Sequence, residues 1–322
     1  MTAAEILREL PRLSALVVGD ICLDRWCRYD PAEAEPSRET GIPRTAVVSV
    51  EVTPGAGGTV ANNLSALGVG RVAVLGAFGD DGHGSELSRA LRERGIASNL
   101  CVRSAQLQTF TYTKLINQAT GVEDRPRIDF INAGPIPIPV ERQILDALQR
   151  AIETFDVILI SDQAETNQGG VVTPAVRNRL ADLASSYPQK IFFADSRARI
   201  AHFRNVILKP NQDEAKAACN GNYSEWRRQA GAPLLMVTHG GDGVLLVGEA
   251  GEHWVKTKAI EHPVDICGAG DSFSAGAATA LHITRSPELA ARFGNLVASI
   301  TIMKPGTGTA SPAEVLAAEG IR

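Results

Sequence analysis

The sequence predicts an α/β fold built on a doubly wound, mostly parallel sheet. Short apolar runs rich in Val, Ile and Leu alternate along the chain with segments of helical periodicity, the pattern of a parallel sheet covered by helices on both faces. At 322 residues the chain is long enough to bury a full core. Four predicted strands carry a polar residue at the carboxyl end, where open α/β sheets bind ligands: Asp162, Asp195, Asn211 and Thr238.

The individual elements follow from the same patterns, taken in chain order. The predicted strands cover residues 15–23, 71–79, 156–162, 190–195, 205–211, 234–240, 243–248 and 253–258. The predicted helices cover residues 82–94, 139–154, 173–185, 212–219, 223–230, 270–282 and 287–303. Because this alternation runs through most of the chain without a long linker, we expect a single domain over residues 1–322.

Two regions interrupt the alternation and have the character of β-rich insertions. Residues 28–52 are rich in Pro, Glu and Arg before the alternating run TAVVSVEV, and residues 100–131 contain the extended segments TFTYTKLI and RPRIDFIN. We expect both insertions to form a small separate sheet, a lid that covers an active site and excludes water during reaction. The alternative is a solvent-facing flap with no part in chemistry.

Composition limits the classes of partner and compartment. The net charge is −4 and no block of Lys or Arg is present, which argues against nucleic acid as a partner. The five cysteines form no Cys-x-x-Cys pair, which fits reduced thiols and argues against a zinc site. No apolar run approaches the ~18–20 residues of a membrane span, and the N-terminal stretch lacks the apolar core of a signal peptide. We therefore expect a cytoplasmic protein that acts on a small molecule.

The stretch DICGAGDSFSAG, residues 265–276, carries the clearest chemical signal. Gly268 and Gly270 allow positive φ, so successive backbone N–H groups can point into one concavity. The helix predicted to follow adds the partial positive charge of its first turn, which makes this turn an anion site suited to phosphate. Asp271 beside that anion can accept the proton of a hydroxyl aimed at the phosphate, as in phosphoryl transfer. The alternative is an aspartate that only caps a helix.

Several motifs in order make the chain resemble the ribokinase-like (PfkB-type) carbohydrate kinase family over nearly its whole length. Besides GAGD they are VVGDICLD (17–24), PGAGGTVANNLSALG (54–68), KPNQDEA (209–215), VTHGGDGVLL (237–246) and FGNLVASITIMKPGTGTASPAEV (293–315). Within the family, the stretches GDICLDRW, TYTKL, RIDF and GTGTASPAEV are similar to the kinase domains of heptose-7-phosphate kinases. The sequence contains no Cys-Phe-Asp…His-x-Gly-His element, so we expect no fused nucleotidyltransferase.

The resemblance implies a ribokinase-like fold with a β lid and ATP-dependent phosphoryl transfer to a hydroxyl of a sugar or phosphosugar. Asp271 would be the base, and the backbone amides of Gly268, Ala269 and Gly270 would stabilise the transferring phosphoryl group. The implied substrate-binding residues are Asp24, Gly55, Gly57, Gly58, Thr59, Asn63, Asp162 and Arg197. The implied nucleotide-binding residues are Lys209, Asn211, Thr238, Gly240, Gly243, Asn295 and Ala298. Relatives often pair their lids, which implies a homodimer.

Metal ions form a separate expectation. Asn211 and Glu214 lie three residues apart at the start of a predicted helix, so they share a face and can hold Mg²⁺ through water. The same spacing fits an N-cap Asn with a capping-box Glu, and both roles are compatible. The family resemblance adds a site for a monovalent cation such as K⁺, formed by Asp265 and the carbonyl-rich loop 306–309.

The departures from the family pattern fall on the acceptor side. Thr59 stands where many relatives have Asn, the segment after Asp162 lacks the Tyr and Lys of heptose kinases, and Arg197 stands where they have Lys. The acceptor therefore stays open. Two alternative functions are a nucleoside kinase of the same fold and a catalytically inactive sugar- or nucleotide-binding regulatory protein. A nucleotide-dependent oxidoreductase is disfavoured, because ICLDRW follows the first strand where G-x-G-x-x-G is needed.

Overall fold

The computed structural model describes residues 1–164 and 168–320 of the chain. Within them the strands are β1 (Ser14–Gly19), β2 (Ile21–Tyr29), β3 (Val47–Ala56), β4 (Arg71–Leu75), β5 (Ala77–Gly79), β6 (Val102–Ser104), β7 (Thr111–Asn117), β8 (Ile128–Phe130), β9 (Val157–Asp162), β10 (Ile191–Ser196), β11 (Ile207–Leu208), β12 (Leu235–Thr238), β13 (Val244–Gly248) and β14 (Gly251–Val255). The helices are α1 (Ala3–Glu9), α2 (Gly57–Ala66), α3 (Gly82–Glu93), α4 (Ile138–Ala151), α5 (Pro174–Ser186), α6 (Gln212–Cys219), α7 (Tyr223–Gln229), α8 (Ala269–Thr284), α9 (Pro287–Thr301) and α10 (Pro312–Gly320).

The main sheet has the strand order β14-β13-β12-β11-β10-β9-β1-β4. Neighbouring strands from β4 to β12 pair in parallel, and β13 pairs antiparallel with both of its neighbours, β12 and β14. Successive side chains of a strand point to opposite faces, so Val17 joins a core cluster with Phe273 of α8, whereas Val18 joins one with Leu148 of α4. Helices therefore cover both faces, which confirms the predicted fold class.

A second, four-stranded sheet has the order β3-β2-β7-β8. Strand β2 pairs antiparallel with β3 and parallel with β7. The two β-rich insertions thus meet in one small sheet, as the sequence predicted, although part of it comes from residues outside the predicted bounds of 28–52 and 100–131. None of the helices in the described part of the chain is long and apolar enough to cross a membrane.

The predicted strand over residues 15–23 is wrong, because the chain changes sheets within it. Strand β1 ends at Gly19, where a Cβ atom would lie 2.0 Å from the carbonyl oxygen of Ser161 in β9. The next residue, Asp20, accepts hydrogen bonds from the backbone N–H groups of Gln163 (2.9 Å) and Val171 (2.7 Å). These contacts fix the point at which the chain leaves the main sheet, and the apolar residues resume directly after Asp20 in β2.

Candidate active site

A cleft of about 580 Å³ lies beyond the carboxyl ends of β10, β11 and β12. The sequence-predicted residues that line it come from five separate segments: Arg197, Lys209, Asn211, Glu214, Thr238, Gly240, Gly243, Gly268, Ala269, Gly270, Asp271, Asn295 and Ala298. The parallel sheet brings them together because the carboxyl ends of its parallel strands lie at the same edge.

Helix α8 begins at the floor of this cleft. Gly268 precedes it with φ of +78°, a left-handed conformation that glycine adopts without strain. At Gly270 a Cβ atom would lie 3.3 Å from the Nζ of Lys209, so a larger residue would crowd that ammonium group. The helix start, with its partial positive charge, therefore lines the cleft at close range, as an anion site requires.

Asp271 follows in the first turn of α8 and is only partly exposed. Burial raises the pKa of its carboxyl group to about 7, and Asp195 adds to the increase, whereas Lys209 and Arg197 oppose it. A carboxyl group with this pKa exchanges a proton near neutral pH, which is the range in which a general base is effective.

Lys209 lies beneath Asp271 and is 4% exposed. Its Nζ is 2.8 Å from Oδ2 of Asp195, which lies near the carboxyl end of β10 and lines the same cleft. Burial alone would lower the pKa of Lys209, but Asp195, Glu214 and Asp271 outweigh it and raise that pKa. Lys209 is thus a buried, positively charged side chain paired with Asp195, and it is not an exposed lysine at a strand end.

Asn211 and Glu214 form the capping box of α6. The side chain of Asn211 accepts a hydrogen bond from the Glu214 N–H (2.8 Å), and Glu214 Oε2 accepts one from the Asn211 N–H (2.7 Å). Both residues also line the cleft. The arrangement fits a water-mediated Mg²⁺ site, because an amide and a carboxylate with oxygen donors face the space beside the anion site.

The remaining nucleotide-side residues lie along the far wall of the cleft. Thr238 ends β12, and Gly243 has φ of +108° with a Cβ position only 2.2 Å from the carbonyl oxygen of Val255. The side-chain Nδ2 of Asn295 is buried without a hydrogen-bond partner. An orphaned buried donor at a cleft wall is the kind of group that a ligand acceptor satisfies. Ala298 lies one turn further along α9, and its small side chain leaves space at this wall.

On the acceptor side, Asp24 of β2 lies against the turn that precedes α2. A Cβ atom at Gly55 would be 2.5 Å from Oδ1 of Asp24, so only glycine allows this approach. Burial raises the pKa of Asp24 to about 6, opposed by the positive charges of Lys114 and Arg127. The Lys114 ammonium group lies 4.2 Å from the centre of the Trp26 ring. Asp24 therefore stands in a partly buried cluster that contains cations.

Four residues expected on the substrate side pack against protein atoms in α2: Gly57, Gly58, Thr59 and Asn63. Thr59 and Asn63 are buried in α2, at 2% and 0% exposure, and Asn63 donates to the Thr59 carbonyl oxygen. A Cβ atom at Gly57 would lie 2.9 Å from Ile21 Cδ1, and one at Gly58 would lie 2.6 Å from Pro54 Cβ. These residues hold the turn together. Like Asp24 and Gly55, they lie outside the lining of the 580 Å³ cleft, and their contact with a substrate stays a prediction.

Asp162 was expected to bind the substrate, but its carboxylate binds protein groups and does not line the cleft. Arg199 binds both of its oxygens, with Nε 3.0 Å from Oδ2 and Nη2 on Oδ1, and Ser196 donates to Oδ2 at 2.7 Å. Arg199 also donates to the carbonyl oxygen of Gly169 (3.0 Å). Asp162 and Arg199 are 1% and 8% exposed, so this buried ion pair links the end of β9 to Gly169.

The sequence profile of the pfkB family carbohydrate kinases matches residues 14–314, which span every element of this site. The chain belongs to the pfkB family of carbohydrate kinases. Its kinase fold is also found in solved structures. It resembles phosphofructokinase-2 from Escherichia coli in complex with potassium (TM-score 0.70, 18% identity, 96% of this chain and 99% of that chain). It likewise resembles Arabidopsis thaliana ribokinase complexed with ribose and ATP (TM-score 0.67, 17% identity, 95% and 98%).

Among curated proteins, the kinase chain is similar to the bifunctional protein HldE of Trichlorobacter lovleyi. The two are 31% identical over 331 residues, which cover 97% of this chain and 64% of that protein. The HldE protein of Pelobacter propionicus is 29% identical over 324 residues, again with 64% of its length covered. The chain thus spans about two thirds of the length of these relatives.

Two residues of the kinase site were not assigned a role from the sequence. Asp195 was recognised only as a polar strand end, yet it pairs with Lys209 and raises the pKa of Asp271. Arg199 gave no signal, because its pairing with Asp162 depends on β9 and β10 being neighbours. A strand-end acid followed closely by arginines was the only sequence feature that pointed to either residue.

We expect Lys209→Met to move the acid limb of the kinase's kcat/KM–pH profile upwards by about one pH unit. Lys209 lowers the pKa of Asp271, so its removal leaves that carboxyl group protonated to higher pH. The measurement is kcat/KM from pH 5.5 to 9. Lys216→Met, an exposed change on α6, is the matched control. An acid limb at the wild-type position would contradict the coupling between Lys209 and Asp271.

Proposed function

We propose that the protein transfers the γ-phosphoryl group of ATP to a hydroxyl group of a sugar or phosphosugar. The observation that carries this proposal is the partly buried Asp271, with a pKa of about 7, in the first turn of the helix that follows Gly268–Gly270. A proton acceptor beside an anion site is the arrangement that this reaction needs.

In the proposed reaction the acceptor oxygen forms a bond to the γ-phosphorus as the bond from that phosphorus to the ADP oxygen breaks. Asp271 orients the hydroxyl group and takes its proton. The backbone amides of Gly268, Ala269 and Gly270, at the positive end of α8, stabilise the charge on the transferring group. Lys209 keeps a fixed positive charge within the same cleft.

Magnesium enters the proposal through the Asn211–Glu214 pair, which would hold it through water. When bound with ATP, the ion neutralises phosphate charge. The chain's own part is to keep both side chains fixed by the capping box, so that their positions do not depend on the ion. Thr238, Gly240, Gly243, Asn295 and Ala298 would contact the nucleotide.

The acceptor is proposed to bind at Asp24 and Gly55, with Arg197 nearby. Arg197 lines the cleft, and its charge lowers the pKa values of both Asp24 and Asp271. Together with Lys114 and Arg127 it makes this end of the site cationic. The cations support an acceptor that can carry a phosphate group, because guanidinium and ammonium groups are the usual phosphate partners.

A monovalent cation beside the anion site is part of the proposal as well. Asp265 links the two loops concerned, since its carboxylate accepts N–H bonds from Cys267 (2.9 Å) and Gly306 (3.0 Å). The Nζ of Lys304 already donates to the Thr309 carbonyl oxygen at 2.6 Å. Exchange of K⁺ for tetramethylammonium separates the two cases: a fall in kcat supports a K⁺ site, and an unchanged kcat contradicts it.

A homodimer through the small sheet is proposed on the exposure of its edge. Strand β3 is an edge strand, and Val48 and Val50 are 51% and 46% exposed on it. Edge strands with exposed apolar side chains favour pairing with another chain. Light scattering tests this, and a monomer at micromolar concentration would contradict it.

The function itself is tested by ADP release with Mg-ATP and a panel of sugars, phosphosugars and nucleosides. We expect turnover with at least one sugar or phosphosugar and none without acceptor beyond slow ATP hydrolysis. Turnover confined to nucleosides would favour the nucleoside kinase. Tight ligand binding without turnover of any acceptor would favour a binding protein and contradict the proposed function.

A further inference from the structure

A second, smaller chamber of about 90 Å³ adjoins the cleft. Gln163 lines both spaces, so the chamber opens beside the site proposed for the acceptor. Cys22, two residues before Asp24, and Ala56, directly after Gly55, also line it. The chamber therefore lies next to the two residues proposed to hold the acceptor, on the side of the small sheet.

The chamber walls are mostly apolar and come from distant parts of the chain. They include Ile21, Leu107, Phe110, Ile131, Ile136 and Val171. Phe110 also contacts the Tyr112 ring, with ring centres 5.1 Å apart. Contact between this apolar surface and an apolar group of a ligand lowers the free energy of binding, whereas contact with a hydroxyl group does not.

Two polar side chains at the chamber already have their hydrogen bonds. The carboxylate of Asp20 accepts from two backbone N–H groups. The side-chain amide of Asn132 both accepts from the Gln108 N–H (3.0 Å) and donates to the Gln108 carbonyl oxygen (2.8 Å). A polyol entering the chamber would thus find few unused partners, which disfavours it.

Ala56 occupies the chamber wall in an unusual backbone conformation. Its φ is +52° and its ψ −122°, a region that glycine adopts freely and that strains a residue with a Cβ. Ala56 carries its methyl group despite that strain. At the neighbouring Gly55 a Cβ atom would collide with Asp24. Strain of this kind concentrates at functional sites.

We propose that the acceptor carries a small apolar substituent that lies in this chamber, with Ala56 as a specificity-determining wall. The inference rests on the proposed kinase function. A volume near 90 Å³ equals about three water molecules at about 30 Å³ each, so it suits a methyl or short alkyl group. A deoxysugar presents such a group, whereas the base of a nucleoside is larger, and the experiment distinguishes the two acceptors.

The experiment compares matched acceptors in the ADP-release assay with Mg-ATP. The pairs are 6-deoxy-D-glucose with D-glucose, and L-rhamnose with L-mannose, and a nucleoside series forms a separate arm. We expect at least one deoxysugar to exceed its hydroxylated partner by about tenfold or more in kcat/KM, the usual value of one group in an apolar pocket. A preference for nucleosides over free ribose, without any preference for a deoxysugar, would overturn the inference, because a planar base is larger than the methyl or short alkyl group that the chamber suits.

Two variants locate the preference. Ile131→Gln places a polar group in the chamber wall, and we expect it to reduce the kcat/KM ratio severalfold. Ile128→Gln is the matched control, because Ile128 is similarly exposed (51% against 46%) and does not line the chamber. Ala56→Gly should shift the optimum to larger alkyl groups in a series of methyl, ethyl and propyl glycosides, without loss of thermal stability.

The outcomes separate this inference from the function on which it rests. If hydroxylated sugars turn over as fast as their deoxy partners, or if Ile131→Gln leaves the ratio unchanged, the apolar-substituent inference fails and the kinase function stands. If no acceptor of any class turns over, the proposed function fails and the inference falls with it.

Discussion

We expect the Asp271→Asn variant to lose a factor of about 10² or more in kcat while becoming more stable at neutral and alkaline pH. The loss follows because Asn cannot accept the proton of the acceptor hydroxyl group. The gain follows because Asn has nearly the same shape but carries no charge that burial penalises. A loss of kcat together with a gain in stability distinguishes a catalytic carboxylate from one that caps α8. Removal of a capping carboxylate would destabilise the protein.

The pH dependence of the stability gain has a definite sign. The pKa of Asp271 is raised from 3.8 to about 7 on folding, so its protonated form stabilises the fold below pH 3.8. That contribution is lost as the pH rises through 7, because the folded state must then hold a buried charge. We therefore expect the variant to exceed the wild type by about 1–3 kcal/mol at pH 8 and by less at pH 5.

Thermal unfolding at pH 5 and pH 8, with kcat from ADP release, measures both effects. Asp213→Asn, an exposed change in the first turn of α6, is the matched control and should alter neither. The wild-type activity should fall below pH 7 as Asp271 takes up its proton. Near-normal turnover of Asp271→Asn would contradict the assignment of Asp271 as the base.

The second large effect concerns the buried ion pair. We expect Arg199→Met to lower stability by about 3–5 kcal/mol, because it leaves the Asp162 carboxylate buried without its partner. For a chain of this size, that loss corresponds to a fall of roughly 5–10 °C in the thermal midpoint. The loop after β9 loses its bond at Gly169 as well, so KM for the acceptor should rise.

The double variant Asp162→Leu with Arg199→Met removes both charges. It should recover most of the lost stability, since replacing a whole buried pair with apolar side chains is often neutral. Recovery of the thermal midpoint without recovery of KM would assign the pair a positioning role. Arg179→Met, an exposed change on α5, is the control. A single variant as stable as the wild type would show that Asp162 is not buried in solution.

Much of the fold followed from local patterns. Helix α6 was predicted at its observed bounds, because Asn211 and Glu214 mark its start and its apolar residues follow a helical period. Strand ends were less certain. Gly19 and Asp20 interrupt the apolar run over residues 15–23, but the apolar residues on both sides gave no sign that the two halves belong to different sheets, since both halves are buried.

The candidate site, like the fold, could be predicted from the sequence only in part. Gly268, Gly270 and Asp271 were identified from the sequence, because a glycine turn before a helix and an acid within it have a local chemical meaning. Asp162 was misassigned, since its partner Arg199 lies 37 residues away and meets it only across β9 and β10. The burial of Thr59 and Asn63 could not be predicted either, because helix packing, and not their residue type, buries them.

The sequence by itself determined the α/β class, the family resemblance and the place of the proposed phosphoryl-transfer chemistry in residues 268–271. All of these depend on neighbours along the chain. Only the tertiary structure decided that the pKa of Asp271 is raised to about 7, that Lys209 pairs with Asp195, and that Asp162 is turned to Arg199. The reason is physical: burial and charge coupling depend on which strand ends are adjacent in space, and no local pattern specifies that adjacency.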